Sequence, residues 1–245
     1  MIRVALLEGD TPSLLSGAGD NQLLHRRELA ALSPKAVPKR RDDFLRGRLA
    51  ARRLLAEYLP IDPFRLAVLP DADGVPWAEE EERERLPVSL SISHTAGVAA
   101  AAFVDLPWRI GIDVEHPIDS ADKLVGDYFE ACEMELCSGL DTTALSWRAA
   151  EIWALKEAGL KALGTGLRVP TSAVVVKAIA TQADAAGWQS VDMVLGNTAP
   201  EPGRAMKAWV RRQSSVALAL SLLVPKNGGE TPNPDSPIRI VGAGQ

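Results

Sequence analysis

Hydrophobic and polar positions along the chain follow two different periods, and the switches between them divide the sequence. Residues 88–93 read Val-Ser-Leu-Ser-Ile-Ser, apolar at every second position, and residues 98–104 form a continuous apolar run. Both predict strands, separated by a turn at Thr95-Ala96-Gly97. Residues 108–115 alternate again until His116-Pro117 ends the pattern, and four further strands are predicted at 174–180, 188–195, 205–211 and 216–223. Residues 39–59 are rich in helix formers, follow Pro34 and Pro38, and stop at Pro60 and Pro63, which predicts a helix with clear ends. A second helix is predicted over 121–140. Asp141-Thr142-Thr143 offers N-caps for a third that reaches Leu163 and stops at Gly164-Thr165-Gly166. Residues 70–87 read as a polar connection with a turn at Asp73-Gly74.

A helix followed by strands thus occurs twice. The pattern predicts an α+β chain of two similar units, 1–106 and 107–224, with the boundary near 105–108. The stretch 225–245 is rich in Gly, Pro, Asn and Asp and predicts a disordered tail.

Composition excludes several classes. The 245 residues carry 27 basic and 32 acidic side chains, a net charge of −5, which rules out a generally basic nucleic-acid coat. Two cysteines and three histidines can build neither a disulfide framework nor a Cys/His zinc cluster. The first eight residues include Arg3 and Glu8 and offer no apolar leader, and no stretch approaches the ~20 apolar residues that span a bilayer. The expectation is a soluble cytoplasmic protein with no nucleic-acid or membrane partner. The small total conceals a local imbalance. Residues 35–53 hold eight basic and two acidic side chains, and residues 71–85 hold seven acidic and two basic ones. The ordinary reading of such runs is two solvated faces.

Three clusters of chemistry stand out. In the strand 108–115, Ile110, Ile112 and Val114 share one face, so Gly111, Asp113 and Glu115 share the other. Two carboxylates side by side repel unless a proton or cation lies between them, and all-oxygen ligation suits Mg²⁺; simple solvent exposure is the alternative. On the third helix, Trp153, Lys156, Glu157, Leu160, Lys161 and Gly164 fall on one stripe at about 100° per residue. Charges on a stripe that carries Trp and Leu need partners, either within the protein or in a site where Glu157 completes a metal shell and the lysines meet an anion. On the first helix, Arg41, Arg48 and Arg52 point within about 40° of one another, in a direction shared with Leu45, Leu55 and Leu59. They either reach along the leucines to water or face a phosphate. His94 ends a strand where its ring can reach a ligand, whereas Cys132 and Cys137 read as ordinary thiols.

Taken together, Ser91-Ile92-Ser93-His94-Thr95, Gly111-Ile112-Asp113-Val114-Glu115 and Trp153-Ala154-Leu155-Lys156-Glu157-Ala158-Gly159-Leu160-Lys161-Ala162 with Gly164-Thr165-Gly166-Leu167 resemble the signature set of the 4′-phosphopantetheinyl transferases. Length and the Arg-rich helix resemble the larger, surfactin-synthetase-activator (Sfp-type) class. The resemblance implies two similar α/β subdomains in pseudo-twofold arrangement, with coenzyme A in the cleft between them. It implies Mg²⁺ held by Asp113, Glu115 and Glu157. His94 and the helix bearing Arg41, Arg48 and Arg52, Arg48 foremost, would meet the coenzyme's 3′-phosphate. Lys161 would meet the pyrophosphate, with Lys156 adding positive charge there and Glu157 accepting the proton of a carrier-protein serine. A monomer is the expectation. One departure is visible: many relatives have Gly-Lys-Pro where this chain has Gly74-Val75-Pro76. The competing readings are a Mg²⁺-dependent nucleotide pyrophosphohydrolase and a non-catalytic module that binds coenzyme A or carrier proteins.

Overall fold

The computed structural model describes residues 1–8, 24–33, 35–81, 85–235 and 238–241. They form two compact units, Met1–Pro107 together with the segment from Asp235, and Trp108–Pro234. Among the described residues no helix is long and apolar enough to cross a membrane.

In the first unit, strands β1 (Arg3–Glu8), β4 (Val88–Thr95) and β5 (Val98–Asp105) form an antiparallel sheet in the order β1-β5-β4. The β4–β5 hairpin closes at Thr95 opposite Val98, as the alternation predicts. A short helix α1 (Arg26–Ala31) precedes the long helix α2 (Pro38–Tyr58), which begins at a proline whose fixed φ suits the first helical position. Leu54, Leu55, Ala50 and Ala51 of α2 pack with Ala5, Leu7, Leu90, Ala99, Ala101 and Phe103 of the sheet. Gly47 permits that approach, since a Cβ there would stand 2.9 Å from Ile92 Cγ2.

Two expectations for this unit are corrected. The connection 70–87 is largely an antiparallel hairpin of β2 (Leu66–Pro70) and β3 (Pro76–Glu80), with Asp71 Oδ1 accepting from the amides of Asp73 and Val75 at 2.9 Å across the turn. Its acids divide: Asp71 and Asp73 at the turn are exposed, whereas Glu79 and Glu80 are buried, Glu79 pairing with Arg27 and Glu80 with Arg65. Residues 82–84 of that acidic run lie outside the described residues. The tail is also in part a strand. β11 (Ile238–Val241) adds parallel to β1, with Ala5 opposite Ile238 and Glu8 opposite Val241, and Arg3 donates to Asp235 just before it. Four residues become a strand because the edge of β1 supplies the hydrogen bonds they cannot supply alone. Residues 236–237 and 242–245 of the expected tail lie outside the described residues.

The second unit is a five-stranded antiparallel sheet in the order β6-β10-β9-β8-β7, formed by β6 (Arg109–Glu115), β7 (Val174–Ile179), β8 (Gln189–Leu195), β9 (Met206–Gln213) and β10 (Val216–Leu223). The single helix predicted over 121–140 is instead two short ones, α3 (Ala121–Tyr128) and α4 (Ala131–Glu135). Phe129 breaks the run by turning extended into the core. Glu130 restarts it in a reciprocal cap with Glu133, whose Oε2 accepts the Glu130 amide at 2.8 Å. The long helix α5 (Thr142–Leu163) has the ends its sequence predicts: Asp141 Oδ1 accepts from Ala144 N at 2.8 Å, and Gly164 caps it at φ +74°.

α5 lies on the Gly111, Asp113, Glu115 face of β6, so that face is covered and not solvated. At Gly111 the contact is backbone to backbone, and a Cβ built there would fall 1.8 Å from Ala158 O and 2.7 Å from Ala162 N. Ala154, Ala158 and Ala162 are all buried along the same helix. Gly111→Ala must therefore push α5 off the sheet, and because the obstacle is backbone the loss should reach or exceed the roughly 3 kcal/mol upper range of ordinary overpacking. Urea denaturation checks this. A midpoint within experimental error of the parent's would show that α5 is not seated as described.

Candidate active site

The helix-on-strand contact at Gly111 brings three carboxylates and one ammonium together. Asp113 is 2% exposed, and Glu115 and Glu157 are partly buried. Lys161 Nζ donates to Asp113 Oδ1 at 2.6 Å and to Ile112 O at 3.1 Å. Burial pushes the Glu115 carboxyl up to about 7, with the negative charges of Asp113 and Glu157 adding to the shift and Lys161 opposing it. Glu157 is raised in the same way, first by burial and then by Asp113, again against Lys161. Glu115 thus feels the charges of Asp113, Glu157 and Lys161, and Glu157 those of Asp113 and Lys161. Of the residues expected together, the structure seats Lys161 on Asp113 and places Glu115 and Glu157 where the charges of that pair act on them.

Three carboxylates near enough to repel in a poorly solvated place are the hard oxygen donors that Mg²⁺ prefers, and a cation there would relieve their repulsion. Among the described residues, however, no three His, Cys, Asp or Glu side chains are already gathered at ligating distance. In donor chemistry and charge the set fits a divalent cation, with the Lys161 ammonium seated on Asp113.

Lys156 does not join this set, contrary to the expected coenzyme contact. Its side chain is fully buried, and Nζ donates to Glu133 Oε2 at 2.7 Å, Glu133 Oε1 at 2.8 Å and Val174 O at 2.9 Å. An ammonium has three protons, and all three are used. Glu133 is equally buried and also accepts from the amides of Val176 and Glu130, both at 2.8 Å. Sequence reasoning missed Glu133. The signal that could have found it is the charge on the Trp153–Leu160 stripe, which demands an acid from a neighbouring element.

In the first unit the arginines of α2 divide. Arg52, expected at the coenzyme, is turned inward: it is 4% exposed, its Nε donates to Pro63 O at 2.8 Å, and Nη1 lies 3.5 Å from Glu28 Oε2. Arg41, in the first turn, is partly exposed. Arg48 lies over the Phe44 ring at 3.9 Å from its centroid, and its buried Nε has no hydrogen-bond partner among the described residues. Burial lowers the pKa of its guanidinium, and Glu28 opposes the shift. The His94 side chain is 47% exposed, with Nδ1 3.8 Å from Asp43 Oδ2. Phe44, Asp43 and Glu28 were not foreseen, because nothing in a local pattern names a partner on another element.

Comparison with known proteins bears on both units. The model of the 4′-phosphopantetheinyl transferase N-terminal domain matches residues 27–104, and that of the 4′-phosphopantetheinyl transferase superfamily matches residues 109–216. Over both units, therefore, the chain is similar to the 4′-phosphopantetheinyl transferases. It is 30% identical over 142 residues to the 4′-phosphopantetheinyl transferase HetI of Nostoc sp. (strain PCC 7120), a match that takes in 57% of this chain and 59% of that protein. It is 28% identical over 151 residues to a protein of Synechocystis sp. (strain PCC 6803) that bears the same enzyme name provisionally, taking in 61% of this chain and 60% of that one. The chain thus spans about three fifths of the length of these relatives. A 2.31 Å crystal structure of a holo-(acyl-carrier-protein) synthase from Bacillus anthracis str. Ames, in complex with CoA (3′,5′-ADP), aligns with a TM-score of 0.37 at 23% identity over 46% of this chain and 93% of that one.

The Lys156–Glu133 pair makes a direct prediction. Lys156→Met strands the Glu133 carboxylate in the core and should cost about 3–5 kcal/mol. Adding Glu133→Gln should recover part of that loss, because an amide oxygen can still accept from Val176 N. Equilibrium unfolding of the parent and both variants reads it, and a single variant as stable as the parent would contradict the burial described.

Proposed function

We propose that the chain transfers the 4′-phosphopantetheine group of coenzyme A to a serine hydroxyl of an apo carrier protein, releasing adenosine 3′,5′-bisphosphate. The observation that supports this most is the coupled set of Asp113, Glu115, Glu157 and Lys161, built in the unit that matches the superfamily model. The presence of two units in one chain, with the N-terminal domain model matched in the first, supports the larger, Sfp-type class. One chain then supplies every group the reaction needs, and the proposal requires no second copy.

In the reaction the serine oxygen bonds to the β-phosphorus while the bond from that phosphorus to the bridging oxygen breaks, so charge grows on the departing adenosine phosphate. Lys161 sits beside the carboxylates as a positive charge for that leaving group. Asp113, Glu115 and Glu157 would hold Mg²⁺, which supplies positive charge against the pyrophosphate oxygens. Burial and the charge of Asp113 both increase the proton affinity of Glu157, which suits it to accept the serine proton. Arg48 is assigned to the 3′-phosphate, because its unpartnered Nε and its stacking on Phe44 leave a fixed guanidinium able to take an anion. Arg41 and His94 are proposed as weaker contributors from the same unit.

Incubation with coenzyme A, Mg²⁺ and a panel of apo acyl and peptidyl carrier proteins, read by intact mass, should show the added phosphopantetheine. Asp113→Ala and Glu157→Ala should lower the rate by about 10²-fold or more, the scale seen when a group stabilising transition-state charge is removed. Near-parental rates would remove the carboxylates from the mechanism. Cleavage of coenzyme A at full rate without any carrier would favour hydrolysis instead.

Arg48 carries a separate prediction. Arg48→Ala should weaken coenzyme A about 10- to 100-fold, the value of a charge-assisted hydrogen bond, and should weaken 3′-dephospho-coenzyme A far less. Equal weakening of both ligands in calorimetric titrations would sever Arg48 from the 3′-phosphate.

A further inference from the structure

Two lysines lie five residues apart on α5, and they are held very differently. Lys156 has no exposed surface and three acceptors around it. Lys161 is 28% exposed and rests on two acceptors, Asp113 Oδ1 and Ile112 O. Its stem is long and flexible and opens toward water, so its ammonium can leave without unpacking the helix. Yet it sits on a carboxylate whose own side chain is only 3% exposed, where some positive charge is needed to offset three neighbouring acids.

We propose that Lys161 is an exchangeable counter-ion: in the metal-free chain its ammonium occupies the cation's place on Asp113, and a divalent cation displaces it, freeing it to meet an anion. The inference rests on the reading of Asp113, Glu115 and Glu157 as metal ligands. Magnesium binds carboxylate oxygen at about 2.0–2.1 Å and tolerates little distortion, whereas Oδ1 already holds an ammonium at 2.6 Å. Two cations sharing that oxygen repel one another, and the one on a flexible stem is the one that can move. The seat on Ile112 O gives the ammonium a defined resting place beside the strand backbone, next to Asp113. A functional link follows. The metal, by releasing Lys161, improves binding of a phosphorylated ligand, and by reciprocity that ligand improves metal binding.

The test uses the full chain with ¹⁵N-labelled lysine. In EDTA at low temperature, a slowly exchanging Nζ signal should be present in the parent and absent in Lys161→Met. Saturating MgCl₂, alone or with coenzyme A, should abolish that signal while the buried Lys156 signal persists as an internal control. Coenzyme A in EDTA should leave it in place. In a companion measurement, Lys161→Met should lower the melting temperature in EDTA by about 2–4 °C, and MgCl₂ should close that gap. The proposal falls if the backbone amides of Asp113, Glu115 and Glu157 respond to Mg²⁺ while the Lys161 signal stays, or if coenzyme A alone removes it. If neither those amides nor Lys161 respond to Mg²⁺, with or without coenzyme A, the carboxylates are not a metal site, and their assignment under the proposed function fails as well.

Discussion

How near α5 comes to β6 decides what every charged group of the second unit experiences. At Gly111 helix and strand meet without an intervening side chain, against Ala158 and Ala162. A larger residue would hold the helix away and let water between the layers. Asp113 and Glu115 would then be ordinary surface acids, and Glu157 and Lys161 would project over open sheet. Because the layers close at this point, Asp113, the next residue on the same face of the strand, is buried, and Glu115 beyond it is half-buried. Burial, and after it the negative charge of Asp113, is the physical origin of the raised Glu115 and Glu157. One missing side chain thus produces both the packing and the electrostatics of the candidate site.

Close approach alone does not fix the rotation of a helix about its own axis. That task falls to Lys156 and Glu133, which tie α5 to α4 and to the backbone of β7 through Val174 O and Val176 N. A buried ion pair of this kind is often no more stabilising than apolar residues of the same size, because desolvation offsets the attraction. What it adds is direction. The three protons of Lys156 have one arrangement that satisfies them all, whereas a leucine would accept several. Glu157, the next residue, inherits that orientation. Rigidity at Lys156 and freedom at Lys161 are complementary: one sets the frame in which the other's charge can be exchanged.

Local periodicity was enough to bring the principal groups together on paper. Alternation over 108–115 separates Asp113 and Glu115 from the isoleucines, and helical spacing aligns Glu157 with Lys161, because both patterns depend only on neighbours in the chain. What escaped the sequence depends on partners far away. Lys156 is set about 100° from Glu157 around the helix, and only the position of α4 decides that this direction is core. α4 was hidden because Phe129 and Glu130 break a stretch whose composition reads as continuous helix. The β2–β3 hairpin was read as polar because its acids were assumed to face water, when Arg27 and Arg65 hold Glu79 and Glu80 inward. β11 escaped because its partner, β1, is more than two hundred residues earlier in the chain.

The first unit shows how equal spacing can hide unequal roles. Arg48 and Arg52 are one helical turn apart and point nearly the same way, so helical spacing cannot rank them. Glu28 separates them. Its carboxylate lies 3.5 Å from Arg52 and accepts the amides of Val68 and His25 at 2.8 Å each, so its charge is already well compensated before Arg48 contributes. Arg52 completes its own needs at Pro63 O. Arg48 is left stacked on Phe44 with a buried Nε that nothing among the described residues accepts from, a costly position unless another acceptor arrives. His94 differs again: Asp43 stands 3.8 Å from its ring, so an anion approaching His94 meets a carboxylate first. Arg48 is therefore the group of α2 proposed for the phosphate, and under that proposal His94 assists only where the anion's attraction to Arg48 outweighs its repulsion by Asp43.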